Sequence, residues 1–157
     1  MSVGGSEQEE SEMIQGTAID LVHLSDGENS VIVRVECGTG VIAGQDYLDA
    51  EIVVASAFVN GRLELTLLPE DLGTWRGALE SLAAGVDASW MDDGRNPEIR
   101  IELAGPFVSR GTTLQALQVV VRDVAASLTS ANVLVRMPDG WIQDHRERLD
   151  RLLQPHS

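Results

Sequence analysis

Eight short runs rich in Val, Ile and Leu, each separated from the next by turn residues or one amphipathic stretch, limit this chain to a small set of folds. The first four fall at residues 17–24, 30–36, 47–58 and 62–67, and the second four at 86–91, 98–103, 117–124 and 132–137. Asp26-Gly27-Glu28-Asn29 joins the first two runs, and Asn60-Gly61 is a strong short hairpin signal between Val59 and Arg62. Turns this short join antiparallel neighbours, because a parallel connection needs a dozen or more residues. Asp92-Asp93-Gly94-Arg95-Asn96-Pro97 turns the chain between the fifth and sixth runs, and a looser stretch precedes the seventh.

Two segments break the period-2 pattern. Leu68-Pro69-Glu70-Asp71 opens a helix, with proline in its first turn and two acids at the positive end of its dipole, and Gly85 closes it. At 100° per residue Leu72, Trp75, Ala78, Leu79, Leu82 and Ala83 share one face. Gly73 and Gly77 each weaken the helix by about 1 kcal/mol, so packing must hold it. A second helix follows Asp139-Gly140, with Trp141, Ile142, His145, Leu149, Leu152 and Leu153 on one arc and the i,i+4 pairs Asp144–Arg148 and Glu147–Arg151 outside it. The order predicts an α+β domain: four strands, a helix, four strands and a C-terminal helix, with mostly antiparallel sheets. Within the strands, Val86, Ala88 and Trp90, and then Ile99, Ile101 and Leu103, are expected to face inward.

The 157 residues fit one domain, expected over 16–157. Residues 1–15, with Glu7, Glu9, Glu10 and Glu12 among Ser, Gly and Gln, read as a disordered acidic tail. All eleven cationic side chains are arginine, which excludes the lysine-dependent phosphate loops, kinase sites and Schiff-base chemistries. Against 25 Asp and Glu they leave a net charge of −14, unfavourable to nucleic acid and to anionic membrane surfaces and favourable to a basic protein partner. Cys37 is the single cysteine, and the opening Met1-Ser2-Val3-Gly4 lacks the basic and apolar regions of a signal peptide. A cytoplasmic location is expected.

Arg34, Arg100, Arg122 and Arg136 interrupt apolar strands, so alternation puts them on wet sheet faces beside Glu36, Glu51, Glu64, Glu98, Glu102 and Asp123. Such faces are either simply solvated or serve recognition, where the planar guanidinium gives bidentate specificity. Asp49, Glu51, Asp92 and Asp93 are the acids expected to contact a basic protein partner. The glycines between Glu36 and Gly44 form a loop rather than a phosphate cradle, since no helix follows to hold an anion. Asp92, Asp93 and Glu98 lack the ligand spacing of a calcium loop, and His23, His145 and His156 lack metal spacing, so no metal and no cofactor is expected. His145 is the candidate general base if the chain is an enzyme, although no nucleophile or orienting acid can be placed beside it. Its position within the apolar stripe favours a structural role.

Three motifs, Gln45-Asp46-Tyr47-Leu48-Asp49-Ala50-Glu51-Ile52, Leu67-Leu68-Pro69-Glu70-Asp71-Leu72 with Trp75, and Asp93-Gly94-Arg95-Asn96-Pro97-Glu98-Ile99, together with Asp139-Gly140-Trp141-Ile142 and Asp144-His145-Arg146, resemble an uncharacterised actinobacterial domain-of-unknown-function family. The order of strands and the Leu-Pro-Glu-Asp-Leu helix is also similar to WapI-type immunity proteins. That similarity implies a non-enzymatic, immunity-type inhibitor of a basic toxin or enzyme. The alternative is a small-molecule-binding or accessory protein of a biosynthetic pathway, with a pocket lined by Trp90 or Trp141.

Overall fold

Two antiparallel sheets, each followed by a helix, make up the chain in a computed structural model that describes residues 18–36, 40–42, 45–94, 97–124 and 126–153. Strands β1 (Ala18–Ser25), β2 (Ser30–Glu36), β4 (Gln45–Ala55) and β5 (Asn60–Leu67) pair in that order, and the short β3 (Gly40–Ile42) lies against the start of β4. Helix α1 (Pro69–Ala83) leads into the second sheet, β6 (Ala88–Trp90), β7 (Glu98–Ser109), β8 (Thr112–Arg122) and β9 (Ser130–Met137), and α2 (Trp141–Leu153) closes the fold. The predicted α+β order holds, with β3 added inside the stretch read as a loop. The predicted acidic tail and Cys37 lie outside the described residues.

Local chemistry explains where the turns fall. In 26–29 the Asp26 carboxylate accepts the N–H groups of Glu28 (2.9 Å) and Asn29 (2.8 Å), and Asp26 N–H donates to the Asn29 carbonyl. The β4–β5 turn copies this with serine: Ser56 Oγ accepts from Phe58 (3.2 Å) and Val59 (2.9 Å), and Ser56 N–H donates to the Val59 carbonyl at 2.8 Å. The reversal therefore sits at 56–59, and Asn60-Gly61, predicted as the turn, belongs to β5 with Asn60 paired to Ala55. The local bonds of Ser56 outweighed the Asn-Gly signal.

The looser stretch before the seventh run is a third hairpin. Residues 105–109 pair with 112–116 about Arg110 (φ 51°) and Gly111 (φ 79°), the two positive φ values of a type I′ reversal, and the register shifts between Leu103 and Gly105. Both faces of this arm carry exposed residues, so alternation, the signal for half-buried strands, is missing from its sequence.

The inner faces follow the predicted alternation: Val31, Val33 and Val35 on β2, Ile52 and Val54 on β4, Ile99 and Ile101 on β7, and Leu117, Val119 and Val121 on β8 are buried, while Leu103 is partly so. On α1, Leu72, Trp75, Ala78, Leu79 and Leu82 are buried, but Ala83 is exposed because the helix is ending. Leu153 at the end of α2 and Val86 before β6 are likewise exposed, against expectation, while Ala88 and Trp90 point inward. Each helix packs across to the opposite module: α1 lies by β6, α2 by β1, and the two helices touch each other. Asp71 fixes the start of α1, accepting the Leu68 N–H at 2.8 Å, and its carbonyl accepts the indole N–H of Trp90 at 2.9 Å. Trp75 packs on Trp90 with ring centres 4.9 Å apart and the ring planes tilted by 41°. Trp75→Ala is expected to cost about 3–5 kcal/mol in denaturant unfolding, since it empties the point where α1 meets the second sheet.

Candidate functional site

The outward side of the first sheet is a charged grid. Strand register aligns Asp20, Arg34, Glu51 and Glu64 in one row across β1, β2, β4 and β5. Asp49 lies two residues from Glu51 on the same side of β4, and Glu36 ends β2. Arg34 Nε donates to Asp20 Oδ1 at 2.9 Å, which pushes the Arg34 pKa above its ordinary value, and Arg62 Nε lies 3.5 Å from Glu51 Oε2. Here Asp20, Glu36, Asp49, Glu51 and Glu64 outnumber Arg34 and Arg62. Asp92 and Asp93 are exposed in the turn after β6. The four predicted contact acids therefore divide between the first sheet and a turn of the second.

The second sheet keeps part of the predicted pairing. Arg122 lies 3.6 Å from Glu98 across β7 and β8, while Arg100 bonds Glu102 at 2.8 Å along its own strand. Two residues depart from expectation. Asp123 is buried just past the end of β8, where its carboxylate accepts the N–H (3.0 Å) and hydroxyl (2.7 Å) of Ser127 and so shapes the turn. Arg136 stacks its guanidinium 4.4 Å from the ring centre of Phe107 instead of meeting a carboxylate across the sheet.

His145 is fully buried between the helices and β1. Its Nδ1 lies 2.6 Å from the Trp141 carbonyl, and its Nε2 accepts the His23 backbone N–H at 3.0 Å. Those two partners together require the neutral ring with the proton on Nδ1. Burial pushes its pKa below the ordinary value, in spite of the Trp141 bond that favours the charged form. Trp141 and Trp75 contact the ring edge-on, with centroids at 5.8 and 6.4 Å. Close by, Arg148 donates from Nε to Asp144 (2.8 Å) and from Nη1 to the Asp20 carbonyl (3.0 Å). The predicted pair Asp144–Arg148 is thus formed, while Glu147 takes Gln143 Nε2 at 3.4 Å. Both helix-borne groups reach β1 beside the register shift between Asp20 and Val22, satisfying backbone groups of this edge strand. Both ring nitrogens are engaged inside the protein, and this geometry offers no atom of His145 to a substrate.

One feature escaped the sequence: Phe58, placed there at the end of a strand, crowns the β4–β5 turn with 96% of its surface exposed. Between that turn and β9 residues 131–134 lies an open cleft of about 190 Å³, with Asn29 at its side. Neither Trp90 nor Trp141 lines it; both are buried. Among the described residues, no group of three or more His, Cys, Asp or Glu is placed to hold a metal ion, and no helix is long and apolar enough to cross a membrane.

Residues 19–157 match a family of unknown function, DUF5959, and the chain belongs to it. No curated protein and no solved structure matches.

The buried imidazole gives a signed pH dependence. The unfolded histidine takes a proton near its ordinary value of 6.5, whereas the folded ring resists until lower pH. Its contribution to stability is therefore present above about 6.5 and is lost as pH falls from there through the lowered folded value. Melting temperature is expected to drop between about pH 7.5 and pH 5, with a shallower drop in His145→Gln, measured by scanning calorimetry. Equal slopes would show that His145 does not carry the effect.

Proposed function

We propose that this member of a family without assigned activity is a non-enzymatic, acidic protein-binding module that captures a basic protein partner in the cytoplasm. The observation that carries the reading is the carboxylate excess on the outer side of the first sheet, within a chain of net charge −14. A field of that sign steers a cationic surface toward the sheet and repels nucleic acid and anionic lipid. The face suits recognition in a second respect. It is built on paired strands, so its charges are held in fixed rows by the backbone ladder, as a preorganised interface needs.

An immunity-type role, in which the module neutralises a basic toxin or enzyme of an actinobacterial producer, is the specific form proposed, by analogy with WapI-type proteins. The enclosure of His145 favours binding over catalysis, since the candidate base serves the fold. Asp49, Glu51, Asp92 and Asp93 are the proposed contacts, with the sheet-borne pair central and the turn pair peripheral.

The test begins with a pull-down from the native host, eluted by salt, followed by stopped-flow association with the partner so identified. Asp49→Asn combined with Glu51→Gln should lower the association rate at low ionic strength by about tenfold and flatten its salt dependence, with a smaller effect on dissociation. Asp92→Asn with Asp93→Asn should do the same to a lesser degree. An unchanged rate and salt slope in both double variants would contradict the reading.

A further inference from the structure

The second sheet ends on β9, and only part of that edge is covered. The Leu134 carbonyl accepts from Asn29 Nδ2 at 2.8 Å, and Arg136 N–H donates to the Asp26 carboxylate at 3.2 Å, so the β1–β2 turn shields the edge there. These contacts also fix the parity of the strand. Residues 134 and 136 turn their backbone groups away from β8, and in an antiparallel ladder Asn132, paired with Val120 in the same register, must do likewise. Asn132 lies past the end of that cover. Among the described residues no turn, loop or side-chain bond reaches its backbone N–H or carbonyl.

Beside this open stretch stands the exposed Phe58. A single exposed apolar side chain is ordinary on a protein surface; Phe58, 96% exposed, matters because Val59 and Leu134 line the same cleft beside the open edge. Phe58 and Val59 form one wall of the cleft and residues 131–134 the other, leaving room for a side chain or two of an incoming segment. Leu134, 40% exposed, continues the apolar surface along the outer face of the second sheet.

We propose that the open edge of β9 at Asn132, with the Phe58 cleft, docks an extended segment of the basic partner by strand addition. The inference deepens the binding reading above and rests on it. Unpaired strand groups call for a backbone in the extended state, and the apolar wall beside them calls for an aliphatic side chain at alternate positions. Charge selects the occupant: a second copy of this chain would bring −14 against −14, whereas a segment alternating basic and aliphatic residues meets both the field and the wall. Glu28, exposed in the turn that shields the same edge, adds negative charge at one end of the path.

The probe is a fluorescent peptide of alternating Arg and Val, compared with the same peptide N-methylated at alternate amides, which keeps its charge but cannot extend a sheet. Fluorescence anisotropy with the full chain should show that the methylated form binds about tenfold more weakly, and that Phe58→Ser lowers the affinity of the parent peptide about tenfold without changing its salt slope. Phe58 is exposed, so the variant should melt with the wild type, which separates lost docking from lost folding. Equal binding of the two peptides, or no effect of Phe58→Ser, would overturn strand addition while leaving capture by the acidic face intact. Binding of neither peptide would overturn both. A dimer of the chain abolished by Phe58→Ser would overturn the choice of occupant.

Discussion

The enclosed imidazole of His145 is the interaction on which the rest of the architecture leans. Each helix in this fold packs against the module it does not belong to, so both crossings must be fastened by something more selective than apolar contact. At one crossing the Asp71 carbonyl takes the Trp90 indole N–H, and at the other His145 Nε2 takes the His23 amide. Trp75 touches both Trp90 and His145, so the two fastenings share one aromatic cluster. Such buried polar bonds contribute about 1 kcal/mol each when made and cost roughly 1–3 kcal/mol when half of one is removed. Their larger effect is on specificity. A one-turn slip of α2 would strand both the imidazole and the edge amide of β1.

With the interior closed in this way, the surfaces left for function are the outer sheet faces, the turns and the strand edges. Ion pairs on those faces, such as Arg34–Asp20 and Arg62–Glu51, are partly solvated and contribute little to stability. Their arrangement matters more for the field they leave uncancelled. In the proposed binding role the acids of the first sheet would supply long-range attraction without shape, while the Phe58 cleft and the β9 edge would supply shape with little charge. Attraction and docking on different patches of one molecule would separate the speed of encounter from the lifetime of the complex.

Much of the fold was legible because its signals are local. Pro69 with Glu70 and Asp71, the Trp75 stripe, and the valine alternation of β2 each carry their meaning within a few residues. The failures have physical causes too. The arm at 104–116 has solvent on both sides and shows no alternation, and Ser56 closes a turn by its own hydroxyl, moving the reversal off Asn60-Gly61. Alternation puts Asp123 at an outward strand position, but it sits one residue past the strand, where its carboxylate accepts from Ser127. For the site, the individual acids were visible, but their division between sheet and turn depends on strand register. The Phe58 cleft joins residues about seventy-five positions apart, which no periodicity can bring together. His145 shows the same boundary: its burial was legible in the helical stripe, its bond to His23 was not.

The central claim is that this protein works through its outer surfaces while its aromatic interior serves only the fold. Amide hydrogen exchange on the full chain, with and without the protein partner retained from its native host, tests this most directly. The account predicts slowed exchange in β4, β5, the 56–59 turn and β9, with the α1–α2 crossing unchanged. Slowed exchange centred on Trp75, Trp90 and His145, with the outer strands unaffected, would contradict it and place the binding site inside the molecule.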